Sequence, residues 1–367
     1  MEKNFILNQQ TLQDEKDYKS FNFDLTTISF IGSDKNSGKT TALNFVYNKL
    51  VKQKTRKKKI CLTSIGINGE KQDVLNGQPK PLIHLYKNTY FITNIDHLNI
   101  HDGKYKIFHI FSGNDFSKRY VLGKCVFDFP IMLEGPNDKK SILSIKQKVK
   151  DLLKQSYLLI DGSVDRQILA HPAISDAIYF SVLISNQNEQ IQKTKALLSC
   201  FSIPLCCKNI SFFLADSKNK DIINKNTKSL LFNEKNVILY HGQQVLFLDA
   251  KLKQNCLKHK HNKCYLYLNG AFSKSLYIFL SKFNNLNIIL DNLTCYQNLL
   301  SNIKHCDDIY INTFGPKLFL FHSIKVLGIF LKEEKKIKEI KNSLMIPDGI
   351  PFYNLFKDDR SKIDVTI

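Results

Sequence analysis

Residues 25–31, LTTISFI, are β-branched and mostly apolar, the pattern of a short strand. From Thr40 to Lys52 the period changes: Leu43, Val46 and Leu50 recur at helical spacing, with Ala42 and Phe45 alongside. A second strand is expected in KICLTSIG (59–66), and others at 91–95, 106–111, 126–133 and 157–162. Residues 140–155 predict a helix with Ile142, Ile145, Val149 and Leu152 on one face. Strands alternating with helices of these lengths predict an α/β fold with a mostly parallel sheet covered by helices.

The polar stretch SNQNEQIQKTK (185–195) reads as a boundary, giving a first domain over 1–187 and a second α/β domain over 188–367. Beyond it lie apolar segments at 211–216, 236–249, 263–272, 286–291, 308–314 and 325–331, with helical segments between several of them. No fixed-period repeat is visible, and 332–344 reads as an amphipathic helix with solvent-facing charges.

Composition narrows the class. The chain has 367 residues and is 43% hydrophobic, which suits a globular protein of about two domains. The polar start MEKNFILNQQTLQDEK does not read as a signal peptide, and no apolar run reaches the roughly 20 residues of a membrane span. Nine cysteines, an odd number at irregular spacing, point to reduced thiols and a cytoplasmic protein. The net charge of +20 invites a nucleic-acid reading, but lysine, asparagine and isoleucine are spread along the whole chain. The densest basic run, Lys54 to Lys59, falls between a predicted helix and strand and reads as a solvated connector. No RRM signature or zinc-finger spacing is present, so neither nucleic acid nor membrane is an expected partner. Attraction to an acidic protein stays open.

Candidate chemistry centres on IGSDKNSGKTT (31–41), placed between the first strand and the first helix. A phosphate-binding loop uses glycine-freed backbone N–H groups at a helix start, a lysine for the β and γ phosphates and a hydroxyl for Mg²⁺. Gly38, Lys39 and Thr40 supply these parts, with Ser33, Lys35, Asn36, Ser37 and Thr41 lining the loop. The usual pattern places its first glycine where Ser33 stands; here the glycine is Gly32, one residue earlier. A Mg²⁺ site also needs an aspartate at the end of another strand, and YLLIDG offers Asp161, although Asp-Gly also occurs in plain turns. Guanine recognition by Asn-Lys-x-Asp is missing, since Asn219-Lys220-Asp221 is one residue short, so ATP is the default nucleotide. Glu70 and Asp73 are candidate water- or metal-orienting carboxylates, or solvated turn residues. Cys256, His259, His261 and Cys264 match no standard zinc spacing and stay outside the expected site.

Several segments together resemble the ATPase subunit of the lysine 5,6-aminomutase reactivase family. They are the loop GSDKNSGKTT; Thr63 to Gly66 with Gly69, Glu70, Asp73, Val74, Gly77, Lys80 and Pro81; Gly135-Pro136; and DGSVDRQILAHPAISDA (161–177). LNGAFSKSL (268–276) and IPFYNLF (350–356) are similar more weakly, with Asn354 where the family has an aspartate. After Asp176 the family tends to Thr-Gly-Ala, where this chain has Ser-Val-Leu. The resemblance implies a P-loop NTPase domain and an ATP-dependent reactivating factor. Its target would be an aminomutase using adenosylcobalamin and pyridoxal phosphate, acting in amino-acid fermentation with a MutS-like ATPase subunit. In that setting Lys39, Glu70, Asp73 and Asp161 would be catalytic, Thr40 and Asp161 would hold Mg²⁺, and Asp165 and Arg166 would relay nucleotide state to the partner. The residues alone leave two other readings: a small-molecule kinase or ATP-dependent ligase, and a non-hydrolysing nucleotide-binding subunit of a complex.

Overall fold

A computed structural model describes residues 25–53, 58–68, 82–98, 101–113, 116–162, 167–184, 188–224, 228–243, 249–270, 272–296, 316–333, 347–355, 358 and 363. Glu70, Asp73, Asp165, Arg166, the segment 308–314 and most of the expected helix at 332–344 lie outside the described residues.

The first half of the chain contains β1 (Leu25–Gly32), α1 (Lys39–Lys52), β2 (Lys59–Ser64), β3 (Gly66–Asn68), β4 (Ile83–Leu85), β5 (Tyr90–Asn94) and β6 (Tyr105–Phe111). It continues through β7 (Tyr120–Cys125), β8 (Phe129–Ile131), β9 (Leu133–Gly135), α2 (Lys139–Leu152), β10 (Ser156–Asp161) and β11 (Ala177–Ile184). The second half contains α3 (Asn188–Ser199), α4 (Lys208–Ala215), α5 (Ser217–Asn224), β12 (Ser229–Asn233), β13 (Ile238–Gly242), α6 (Ala250–Lys258) and β14 (Cys264–Leu268). It closes with α7 (Lys274–Leu280), β15 (Leu286–Leu290), β16 (Lys317–Leu320), β17 (Lys325–Glu333) and β18 (Phe352–Tyr353).

Among the described residues, nine strands form one mixed, mostly parallel sheet in the order β18-β17-β11-β1-β10-β2-β5-β7-β6. Only the pairs β5–β7 and β7–β6 run antiparallel. A smaller sheet has the order β13-β12-β14-β15-β16, parallel from β14 to β16. No helix among the described residues is long and apolar enough to cross a membrane.

The expected periodicities place the core. Ala42, Leu43, Val46 and Leu50 of α1 pack against Ile28 and Phe30 of β1 on one face of the large sheet. Ile142, Ile145 and Val149 of α2 cover the other face with Leu158, Ile160 and Ile178. Leu152, expected on that stripe, is exposed, and Leu153 is buried in its place.

Several segments depart from the sequence pattern. The run 126–133 is no single strand: the N–H groups of Val126 and Phe127 both donate to the Lys104 carbonyl, and Pro130 has no N–H to give. The run divides into β8, paired with β4, and β9, paired with β3. Residues 211–216 lie largely in helix α4, where Ile210 and Leu214 are buried four apart while Phe212 is exposed. Helix α3 begins inside the polar stretch read as a boundary. Sheet membership also crosses residue 187, because β17 pairs in parallel with β11 and returns the C-terminal segment to the large sheet.

Candidate functional site

The loop at 32–38 stands where its flanking elements require. β1 is a buried central strand between β10 and β11, so its carboxyl end opens directly onto the start of α1. Gly38 is the N-cap of α1, with φ 93° in the left-handed region that favours glycine. No side chain caps the helix start and no acidic residue of α1 itself stands in its first turn. Asn36 also takes a left-handed φ, 61°, a conformation asparagine tolerates.

Gly32 answers the question of the displaced glycine. A Cβ there would lie 2.1 Å from Ser37 Oγ and 3.0 Å from both Lys39 Cγ and the Ser181 carbonyl. Ser33, at the position the usual pattern gives to glycine, instead ties the loop to β11. Its N–H donates to the Ser181 carbonyl at 2.9 Å, and its Oγ accepts the Leu183 N–H at 3.1 Å. The extra residue thus anchors the turn while the glycine permits its closure.

Lys39 is buried and folds over the loop, its Nζ donating to the Asp34 carbonyl at 2.7 Å and reaching Ser37 Oγ at 3.4 Å. Thr40 Oγ1 donates to Asp161 Oδ2 at 2.7 Å. Asp161 is fully buried at the carboxyl end of β10, in register with Phe30 of β1 and Ser64 of β2. Its carbonyl accepts the Ile65 N–H, and the next residue, Gly162, donates its N–H to the Phe30 carbonyl, both at 2.9 Å. A carboxylate so fixed by two strands presents its oxygens to α1 with little freedom. Thr41 and Lys35 are half-buried at the loop's rim, and Asn36 is exposed at its tip.

These residues fit a triphosphate with Mg²⁺. The loop closes too tightly for one added methyl at Gly32, the helix start is uncapped, and a lysine, a hydroxyl and a carboxylate converge there. Backbone N–H groups and Lys39 would hold phosphate oxygens, and Thr40 and Asp161 are the hard oxygen donors that Mg²⁺ takes. The sequence did not reveal the outer braces. Gln190 of α3 donates to Asp34 Oδ2 at 3.3 Å and to the Leu183 carbonyl, and Lys332 of β17 donates to the Asn36 carbonyl at 2.9 Å. The run AIYFSVLI (177–184), apolar but for Ser181 and Tyr179 and buried throughout, was the available signal for the strand that carries much of this bracing.

Further along the same carboxyl edge, Glu134 is buried beside the ends of β5 and β9. Lys118 Nζ donates to its Oε1 at 2.6 Å, Asn94 Nδ2 donates to its Oε2 at 3.1 Å, and His97 Nε2 lies 2.7 Å from the same oxygen. Burial pushes the Glu134 carboxyl up, but the three partners outweigh it and hold the group below its ordinary value. Gly135 follows, and a Cβ there would lie 1.8 Å from the Ser64 carbonyl. The segments Thr63–Gly66 and Gly135-Pro136, quoted separately in the sequence, are therefore packed directly on each other.

Cys256 and Cys264 are buried in the apolar core, and no group of three or more His, Cys, Asp or Glu residues is arranged to hold a metal ion among the described residues. No family model, curated protein or solved structure matches this chain.

Proposed function

We propose that this chain is a Mg²⁺-dependent ATPase of the P-loop type whose nucleotide state acts on a protein partner. The observation that carries the reading is the 2.7 Å hydrogen bond from Thr40 to the buried carboxylate of Asp161, at the mouth of an uncapped helix. It brings together a hydroxyl and an aspartate 121 residues apart, the two kinds of group that a nucleotide-bound Mg²⁺ would need. Lys39 neutralises phosphate charge, Gly32 and Gly38 allow close approach of the backbone, and ATP is preferred to GTP because no guanine-reading segment is present. The bound triphosphate supplies the phosphoryl group that water attacks.

The narrower reading is a reactivating factor for an aminomutase that uses adenosylcobalamin and pyridoxal phosphate, working with a MutS-like ATPase subunit. Its support is the ordered set of resembling segments, four of which include residues of this carboxyl edge. To empty a tight cofactor site, ATP must bias the open form of the target; moving a population from 1:99 to 99:1 takes about 5.5 kcal/mol of differential binding. The test is phosphate release from Mg²⁺·ATP, with and without a cobalamin-inactivated aminomutase and the MutS-like subunit. Turnover raised by the inactivated enzyme supports the reactivase; turnover raised by a metabolite instead supports a kinase, and no turnover under any condition ends the motor reading.

A further inference from the structure

On one face of the small sheet, Tyr265, Asn287 and Lys317 form a row across β14, β15 and β16, each in register with the next. The rest of that face is apolar: Tyr267, Ile289 and Phe319 pack beneath α4 and α5. The row lines a cleft of about 380 Å³ together with Cys206, Cys207 and Ile210 at the start of α4. That volume falls within the range of roughly 300–1,000 Å³ typical of small-molecule sites.

The polar groups of this row are left over by the fold. Among the described residues the Tyr265 hydroxyl, the Asn287 amide and the Lys317 ammonium make no hydrogen bond or ion pair, although Tyr265 and Asn287 are half-buried. Lys263 joins Lys317 on the lining, and none of the lining residues is acidic. Two positive charges thus meet two neutral hydrogen-bonding groups, with no acidic side chain beside them among the described lining residues. An apolar wall stands beside them: Phe319 lines the cleft, and Tyr265 is stacked on Phe232 at 5.4 Å and 17°.

We propose that this cleft binds a small organic anion, a phosphate or carboxylate on a planar apolar body. Lys263 and Lys317 hold the anion, Asn287 and Tyr265 orient it, and the aromatic wall receives the ring. The site is separate from the loop at Gly32–Lys39 and stands whether or not that loop binds ATP.

The test is saturation-transfer NMR of phenyl phosphate and benzoate on the full chain, with inorganic phosphate added as a competitor, and with the variants Lys317→Ala, Lys263→Ala and Lys39→Ala. Both cleft lysines are exposed, so their removal leaves the core intact, and thermal melting verifies this. The expected result is binding of phenyl phosphate or benzoate that weakens about tenfold in each cleft variant, as loss of a charge-assisted contact implies, and persists in Lys39→Ala. Preference between the two aromatic probes identifies phosphate or carboxylate as the recognised group. Inorganic phosphate displacing phenyl phosphate at an equal concentration shows that the ring adds nothing and overturns the proposal of an anion on a planar apolar body. Binding that is lost in Lys39→Ala and kept in both cleft variants, or no binding of any probe, overturns it.

Discussion

Replacing Gly32 with alanine tests the loop's construction at a single methyl. The added carbon would meet Ser37 Oγ at 2.1 Å, with Lys39 Cγ and the Ser181 carbonyl at 3.0 Å. The first contact is far inside van der Waals range, and the other two leave no direction of easy retreat. Overpacking of this kind costs about 1–3 kcal/mol, and the centre of that range is expected because the serine hydroxyl can rotate while the Ser181 carbonyl cannot. The same distortion displaces Lys39, so affinity for Mg²⁺·ATP should fall by at least tenfold. Ser37→Ala removes the atom that clashes worst but leaves the two 3.0 Å contacts. In the double variant about half of the lost stability should therefore return, a coupling of roughly 1 kcal/mol between neighbours. Urea denaturation of the four proteins of the cycle measures it. Unchanged stability and binding in Gly32→Ala, or a double variant whose losses simply add, would refute the close-packed loop and return the role of first glycine to a mere turn.

Gly135→Ala brings a methyl to within 1.8 Å of the Ser64 carbonyl, a backbone atom that cannot rotate aside, so it should destabilise by about 3 kcal/mol or more in the same urea assay. Tyr267 donates to Asp291 Oδ1 at 2.6 Å inside the small sheet, and Tyr267→Phe should cost about 1.5–3 kcal/mol, read from the shift of the denaturation midpoint. Because Glu134 titrates below its ordinary value of 4.5, its contribution to stability is present above that value and is lost as pH falls through the lower, folded value. Lys118→Met removes one donor, so the stability gap between wild type and variant should be full at neutral pH and shrink below about pH 4.5; a gap constant down to about pH 3 would show that the ion pair does not set the titration.

Most of what was legible in this sequence is local. β1, the loop and α1 follow from adjacent residues, where period and glycine placement speak directly. The Thr40–Asp161 pair was also readable, since each residue lies where a strand or helix pattern changes. The placement of β11 next to β1 was hidden: a strand buried on both faces carries no clean alternation, and parallel neighbours are joined by long crossovers whose order no period records. For the same reason the bracing of the loop by Ser181, Leu183 and Lys332 could not be foreseen, because Lys332 is 296 residues from its partner Asn36. At 126–133 the apolar run suggested one strand, but Pro130 and the two N–H groups bonded to the Lys104 carbonyl divide it. Helix α4 was concealed by brevity, since an eight-residue segment shows barely two turns of its period.

The most direct measurement is calorimetric titration of Mg²⁺·ATP into the wild-type chain and Lys39→Ala. The wild type should bind one nucleotide, and the variant should lose about a hundredfold in affinity, near 2.7 kcal/mol, while still melting in one cooperative transition. A wild type that takes up no nucleotide, or a variant that binds it equally well, would contradict a triphosphate site at the start of α1.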